Sequence, residues 1–113
     1  MKSRRVDLFV YGTLMDENLV FELTGKRFAR IAAVLRDFEK VQPDGGYPYI
    51  VPRVGPHVTG LLLRDIDASS LARIDEYEDE GRLYRRTEVV VEIGGERRRC
   101  ESYIGFSHET VET

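Results

Sequence analysis

A chain of 113 residues, 42% hydrophobic and 33% charged, has the composition of a water-soluble globule and fits one domain spanning 1–113. Its 17 basic residues against 20 acidic ones leave a net charge of −3, which gives no electrostatic footprint for nucleic acid. No apolar stretch approaches membrane-spanning length, so a membrane partner is not expected either.

The basic clusters Lys2-Ser3-Arg4-Arg5 and Arg97-Arg98-Arg99 are each flanked or faced by acids and read as solvated surface. The apolar run after the first is short and interrupted by Asp7, unlike a secretory signal. The single cysteine, Cys100, cannot form an intrachain disulfide, which fits a reducing compartment, and the expected location is the cytoplasm. At this length the core is modest, which leaves room for a homodimer interface.

In chain order, residues 5–11 alternate as a first strand that runs into Val10-Tyr11-Gly12-Thr13-Leu14. Residues 17–24 read as a short helix capped by Asp16, with Gly25 just past its end. The junction between them has two readings. A strand ending in Gly-Thr before a helix exposes backbone N–H groups that can hold a carboxylate, or it is a tight connection that needs a glycine. Residues 28–35 read as a strand and Gln42-Pro43-Asp44-Gly45-Gly46 as a turn. Tyr47-Pro48-Tyr49-Ile50-Val51-Pro52 reads as extended chain whose prolines exclude a central strand position, and residues 58–65 as a further strand.

Asp67 is placed to cap a helix running to about Asp79. At helical spacing Leu71, Ile74 and Glu78 share one face, with Asp75 beside them. A core-facing stripe has no use for a carboxylate. If the helix holds, burial, the negative helix end and the acids Asp75, Asp79 and Glu80 all raise the Glu78 pKa, which suits proton transfer near neutral pH. If it frays by Glu76, Glu78 hangs in water.

Tyr84–Ile93 and Glu96–Phe106 flank Gly94-Gly95, a two-residue hairpin signal. Pairing Ile93 with Glu96 puts Thr87, Val89, Val91, Ile93, Cys100, Ser102 and Ile104 on one face, the expected core. Buried there, Cys100 is expected to be inert. The other face carries Tyr84, Arg86, Glu88, Glu92, Arg97, Arg99, Glu101 and Tyr103 and is either solvent-facing or lines a site. Glu92 faces Arg97, and the like-charged pair Glu88 and Glu101 needs Arg86 and Arg99 on the diagonals. Short strands with two helices and no βα alternation argue for an α+β fold with the sheet curled into a barrel.

In their order and rough spacing, Val10-Tyr11-Gly12-Thr13-Leu14, Tyr47-Pro48, Val58-Thr59-Gly60-Leu61, Ile74-Asp75-Glu76-Tyr77-Glu78 and Tyr84-Arg85-Arg86 resemble the γ-glutamylcyclotransferase-like proteins, in particular the small bacterial and γ-glutamylamine cyclotransferase branch. The resemblance covers about residues 6–106 and implies a small mixed β-barrel with flanking short helices and one pocket. It further implies that Tyr11, Gly12, Thr13 and Leu14 grip the amino-acid end of a γ-glutamyl substrate, and that Glu78 is the general acid/base of a cyclisation releasing 5-oxoproline and an amine. Tyr47, Pro48, Tyr84, Arg86 and Tyr103 are the further candidate substrate contacts. Arg86 serves equally well in the charge pattern of the hairpin. No metal or organic cofactor is implied, and His57 and His108 lack metal-ligand spacing. The family usually has glycine directly after this glutamate, whereas here Asp79 and Glu80 intervene before Gly81, which favours amine over acidic leaving groups. The competing expectation is a module that binds a γ-glutamyl metabolite without turnover.

Overall fold

Alternation in the N-terminal run sends Leu8 and Val10 to one side and Phe9 to the other, and all three are buried. In the computed structural model, which describes residues 4–105, this run is strand β1 (Val6–Val10). It is followed by a 3₁₀ turn (Thr13–Met15) and helix α1 (Glu17–Thr24). Strands β2 (Arg30–Val41) and β3 (Tyr49–Ile66), helix α2 (Ala68–Glu78), and strands β4 (Tyr84–Ile93) and β5 (Glu96–Gly105) complete the order. Lys2, Ser3, Phe106 and His108 lie outside the described residues.

The strand order β1-β3-β2-β4-β5 closes on itself, so the molecule is an α+β fold built on a curled five-stranded sheet. Its two seams are short. Strand β5 meets β1 in parallel at Leu8↔Glu101 and Phe9↔Ser102, and β2 meets β4 at Val34↔Glu92.

Both helices start and stop where their capping residues dictate. The Asp16 side chain accepts from Asn18 N–H and Gly25 takes the left-handed conformation after α1; the Asp67 side chain accepts from Ser70 N–H at the start of α2. Strand β2 runs on to Val41, well past the apolar stretch, and β3 is one strand of 18 residues rather than two segments. The link is Asp37, at φ 64°, whose carboxylate accepts from Gly55 N–H at 3.0 Å and absorbs the register shift between the two halves of the pairing. Pro52 pairs with Phe38 of β2, whereas β1 pairs with β3 only from Leu61 onward, so the proline avoids a doubly paired position.

The curl divides the apolar residues in two. Phe9, Leu35, Ile50, Leu62 and Val91 fill its inside, while Leu8, Val10, Val20, Ile66, Leu71 and Ile74 pack outside it beneath the helices. Full burial of such a side chain contributes about 1.5–3 kcal/mol, so helix docking rests on this outer layer.

The hairpin pairs Ile93 with Glu96 and holds the expected register throughout. Glu88 faces Glu101, and Arg99 reaches Glu88 at 4.0 Å while Arg86 binds Glu101, which relieves the like-charge pair. Glu92 faces Arg97 as expected, while its ion pair is with Arg36 of β2 at 3.0 Å, across the seam. One expectation is corrected. Thr87, on the face expected to be core, is exposed, while Tyr84 and Tyr103, on the face expected to be solvent-facing or to line a site, are buried. Tyr84 and Tyr103 belong to the outer apolar layer that also holds Leu71 and Ile74 of α2.

Gly60 of β3 stands hard against the end of β1. A Cβ there would stand 2.2 Å from the Val10 carbonyl oxygen and 2.9 Å from the Phe9 ring. Gly60→Ala is therefore expected to cost about 2 kcal/mol, read as a lower urea midpoint at unchanged slope. An unchanged midpoint would refute this close approach.

Candidate functional site

Where β1 ends, the chain turns away from the sheet and leaves a cavity of about 360 Å³ between that turn, the last turn of α2 and the hairpin. Tyr11, Gly12, Thr13, Leu14, Tyr47, Pro48, Glu78, Tyr84 and Tyr103, nine of the ten residues singled out from the sequence, line it together. Arg86 does not. Its guanidinium is committed to two carboxylates, with Nε and Nη2 donating to Asp75 at 2.9 and 3.0 Å and Nη1 donating to Glu101. The charge-pattern reading of Arg86 is the one the geometry supports.

Glu78 reaches the cavity because α2 holds to its end. Ile74 is fully buried one turn earlier, and the stripe from Leu71 through Ile74 carries Glu78 inward. Burial pushes the Glu78 carboxyl up to about 7. The neighbouring acids, expected to act in the same direction, are not among the causes. Among the described residues the carboxylate has no hydrogen-bond partner. Directly after it, Asp79 takes the left-handed conformation (φ 61°, ψ 48°) in which glycine is favoured, and its N–H reaches back to Asp75 and Glu76 carbonyls.

Tyrosines surround this carboxylate. Tyr11 donates to the Tyr103 carbonyl at 2.6 Å, and Tyr84 donates to the Pro48 carbonyl at 2.7 Å. Burial, then the neighbouring acidic groups including Glu78, pushes the Tyr84 phenol up to about 12 and raises Tyr11 further. Tyr103 is raised too, by burial and then by its hydrogen bond to Asp75 at 2.5 Å. All three remain protonated at neutral pH.

The turn after β1 is fixed from behind. Lys40 Nζ donates to the Tyr11 carbonyl at 3.1 Å, and in a trans peptide this directs Gly12 N–H the opposite way. Gly12 and Thr13 carbonyls accept from Met15 and Asp16, so the 3₁₀ turn closes. Among the described residues the N–H groups of Gly12, Thr13 and Leu14 donate to no protein acceptor. Such a run of free donors can hold an anion.

Sequence reasoning passed over Glu76, Tyr77 and Leu83, which line the outer part of the cavity. Tyr77, hydrogen-bonded to the Thr13 hydroxyl at 2.9 Å, ties α2 to the turn; its place beside Glu78 was the available signal. Among the described residues no cluster of histidine, cysteine or acidic side chains could hold a metal ion, and no helix is long and apolar enough to cross a membrane.

Residues 8–112 match the family model described as gamma-glutamyl cyclotransferase, AIG2-like. AIG2-like protein C from Arabidopsis thaliana is 32% identical over 99 residues, covering 87% of this chain and 58% of that protein. The chain thus spans less than two thirds of that relative's length. A solution structure of an Arabidopsis thaliana protein aligns with a TM-score of 0.83 at 24% identity, covering 91% of this chain and 70% of that one. A structure of a gamma-glutamyl cyclotransferase aligns with a TM-score of 0.78 at 21% identity, covering 92% and 68%. At these identities the two structures establish a shared fold.

A carboxyl whose folded pKa is raised from 4.5 to about 7 binds more protons folded than unfolded across that window, so folding stability falls as pH rises through it. Glu78→Gln removes this cost. Denaturation in urea should show the variant about 2 kcal/mol more stable than the parent at pH 8 and nearly equal to it at pH 5. A difference independent of pH would contradict the buried, unpaired carboxylate.

Proposed function

The chain belongs to the gamma-glutamyl cyclotransferase, AIG2-like family, and from that premise we propose that it converts a γ-glutamyl-amine or γ-glutamyl-amino acid into 5-oxoproline and the free amine, with Glu78 as general acid/base. The observation that carries this reading is the buried, unpaired Glu78 carboxylate, poised near neutrality, in the same cavity as the free N–H groups of Gly12, Thr13 and Leu14.

In the proposed reaction the substrate's α-carboxylate lies against the donors of the turn. Glu78 takes a proton from the α-ammonium, and the freed nitrogen attacks the γ-carbonyl carbon of the same molecule. A five-membered ring closes as that N–C bond forms. The bond from the γ-carbon to the leaving nitrogen breaks as Glu78 passes its proton to that nitrogen, and the second proton shed by the ring nitrogen follows the same route, leaving a lactam N–H and the protonated amine. Water is neither consumed nor released, and no metal or cofactor is called for. The reaction is intramolecular, so the protein need only hold the substrate folded, which by itself removes a large part of the entropic barrier. Tyr11, Tyr84 and Tyr103 wall the reacting end, while Tyr47, Tyr77 and Leu83, each partly exposed, stand toward the opening.

The charged residues that line the cavity, Glu76, Glu78 and Asp79, are all acidic. A leaving group carrying a carboxylate would meet like charge, and an uncharged or cationic amine would not. γ-Glutamyl-amines are therefore expected to react faster than γ-glutamyl-amino acids of similar size.

The test is 5-oxoproline release from a panel of both substrate kinds, the parent and Glu78→Gln side by side. Turnover by the parent, a loss of about 10²-fold or more in the variant, and kcat/KM rising with pH through about 7 as Glu78 ionises are the expected outcomes. Saturable binding of the panel without turnover would replace the enzyme by a binding module.

A further inference from the structure

One turn before Glu78, Asp75 sits at the meeting point of three elements. Its Oδ1 accepts from Arg86 Nε at 2.9 Å and from the Tyr103 hydroxyl at 2.5 Å, and its Oδ2 accepts from Arg86 Nη2 at 3.0 Å. Arg86 also binds Glu101, and its backbone N–H donates to Glu80 at 3.2 Å. The cluster is partly buried, with side-chain exposures of 25%, 22% and 23% for Arg86, Asp75 and Glu101.

The donor count in this cluster has a chemical consequence. A guanidinium is a donor only, so a carboxylate gripped on both oxygens by an arginine fork acts there as an acceptor. Tyr103 must then be the donor in its bond to Asp75, and a phenol has a single proton to give. The lone pairs of Tyr103 Oη are what is left to offer. Tyr103 lines the cavity that holds Glu78, and the Glu78 carboxylate is near enough to add to the cost of ionising Tyr103.

We infer that Asp75 and Arg86 are positioning residues that turn Tyr103 into a dedicated hydrogen-bond acceptor for the α-ammonium group of the ligand, beside Glu78. This rests on the γ-glutamyl reading of the cavity. With its proton drawn toward Asp75, Tyr103 cannot donate to the amino nitrogen, which would block the lone pair needed for attack. It can only hold the ammonium before Glu78 removes the proton. Arg86 keeps the Asp75 carboxylate in place and balances its charge one turn from Glu78. The Tyr11 and Tyr84 phenols also face Glu78, but they spend their protons on the backbone carbonyls of Tyr103 and Pro48. Tyr77, on the helix itself, is engaged with Thr13, and the acids Glu76 and Asp79 flank the opening.

The test compares two probes that differ only in the amino group, γ-L-glutamyl-n-butylamide and glutaric acid mono-n-butylamide. Binding is followed by NMR titration in the Glu78→Gln background, where the first probe stays intact. Asp75→Asn and Tyr103→Phe should each weaken the amino probe about tenfold while moving the desamino probe less than about twofold. The two substitutions together should cost no more than the larger alone, because they break one device. Tyr103→Phe keeps the ring in the core and the Asp75–Arg86 pair intact, so it carries the test by itself if Asp75→Asn does not fold. Equal loss for both probes, or no loss for either, overturns the inference and reduces the cluster to scaffolding. If the probes discriminate as expected but the parent releases no 5-oxoproline, the cyclotransferase reading falls and this inference stands. Turnover without discrimination has the reverse meaning, and failure of the amino probe to bind at all overturns both.

Discussion

Between the Val10 carbonyl and the backbone of Gly60 there is no room for a methyl group, and much of the molecule is arranged around that contact. Strand β1 is only five residues long, yet it pairs with β3 on one side and β5 on the other and so closes the curl. Its side chains supply both apolar layers, Phe9 inside the curl and Leu8 and Val10 beneath the helices. A strand so tightly held has one fixed point of exit. The chain must leave it at Tyr11 and Gly12, and there the carbonyl is taken by Lys40 and the phenol by the backbone of β5. The free N–H groups of the following turn are aimed by this anchoring, not by any contact of their own.

Helix α2 solves the opposite problem, bringing an unfavourable group to the same place. Leu71 and Ile74 bury their side chains against the sheet, and the helical repeat then delivers Glu78 into surroundings that disfavour its charge. The fold tolerates this because the apolar anchors lie on the same stripe, one and two turns back. The nearby acids do not add to the burden. Asp75 is matched by Arg86 and Asp79 by Arg82 at 2.6 Å, so burial alone shifts the Glu78 carboxyl. Its acidity is thereby set by how the helix packs, a property that solvent ions screen poorly.

Local chemistry was legible in the sequence wherever a single residue decides it. Asp16, Gly25 and Asp67 mark the ends of the helices, the Gly94-Gly95 turn fixes the hairpin register, and the misplaced carboxylate at the end of an apolar stripe points to the cavity. What could not be read was which surface covers which. Period-two alternation assigns residues to the two faces of a strand but says nothing of what packs on either face. The hairpin is covered on its inner face along Val89, Val91 and Cys100, and on its outer face only at the end where α2 lies. Tyr84 and Tyr103 therefore stood on a face that alternation alone leaves either solvent-facing or lining a site. Arg86 and Glu92 likewise found their partners on α2 and β2, elements distant in sequence, where a cross-strand rule cannot look. The second half of β2 was hidden for a similar reason, since Arg36, Asp37, Glu39 and Lys40 give it no apolar pattern and its pairing with β3 alone holds it extended.

The acids that follow Glu78 show how a departure in sequence is absorbed without moving the group that matters. Leaving a helix by a left-handed residue costs a non-glycine side chain about 1 kcal/mol, less for aspartate than for most. Asp79 adopts that conformation, and the backbone of Glu80 bonds to the Asp75 carbonyl at 3.0 Å as the helix ends. The Glu80 carboxylate then accepts from the Arg86 backbone at 3.2 Å, which ties the exit of α2 to the start of β4. With the exit closed in this way, the direction of Glu78 is set by the helix and not by the residues after it. What the acids change is the outer part of the cavity, where Asp79 and Glu76 contribute negative charge without touching the turn that would hold the γ-glutamyl end. On the proposed reading, the chemistry and the choice of leaving group are thus carried by different residues, and the second can vary while the first is kept.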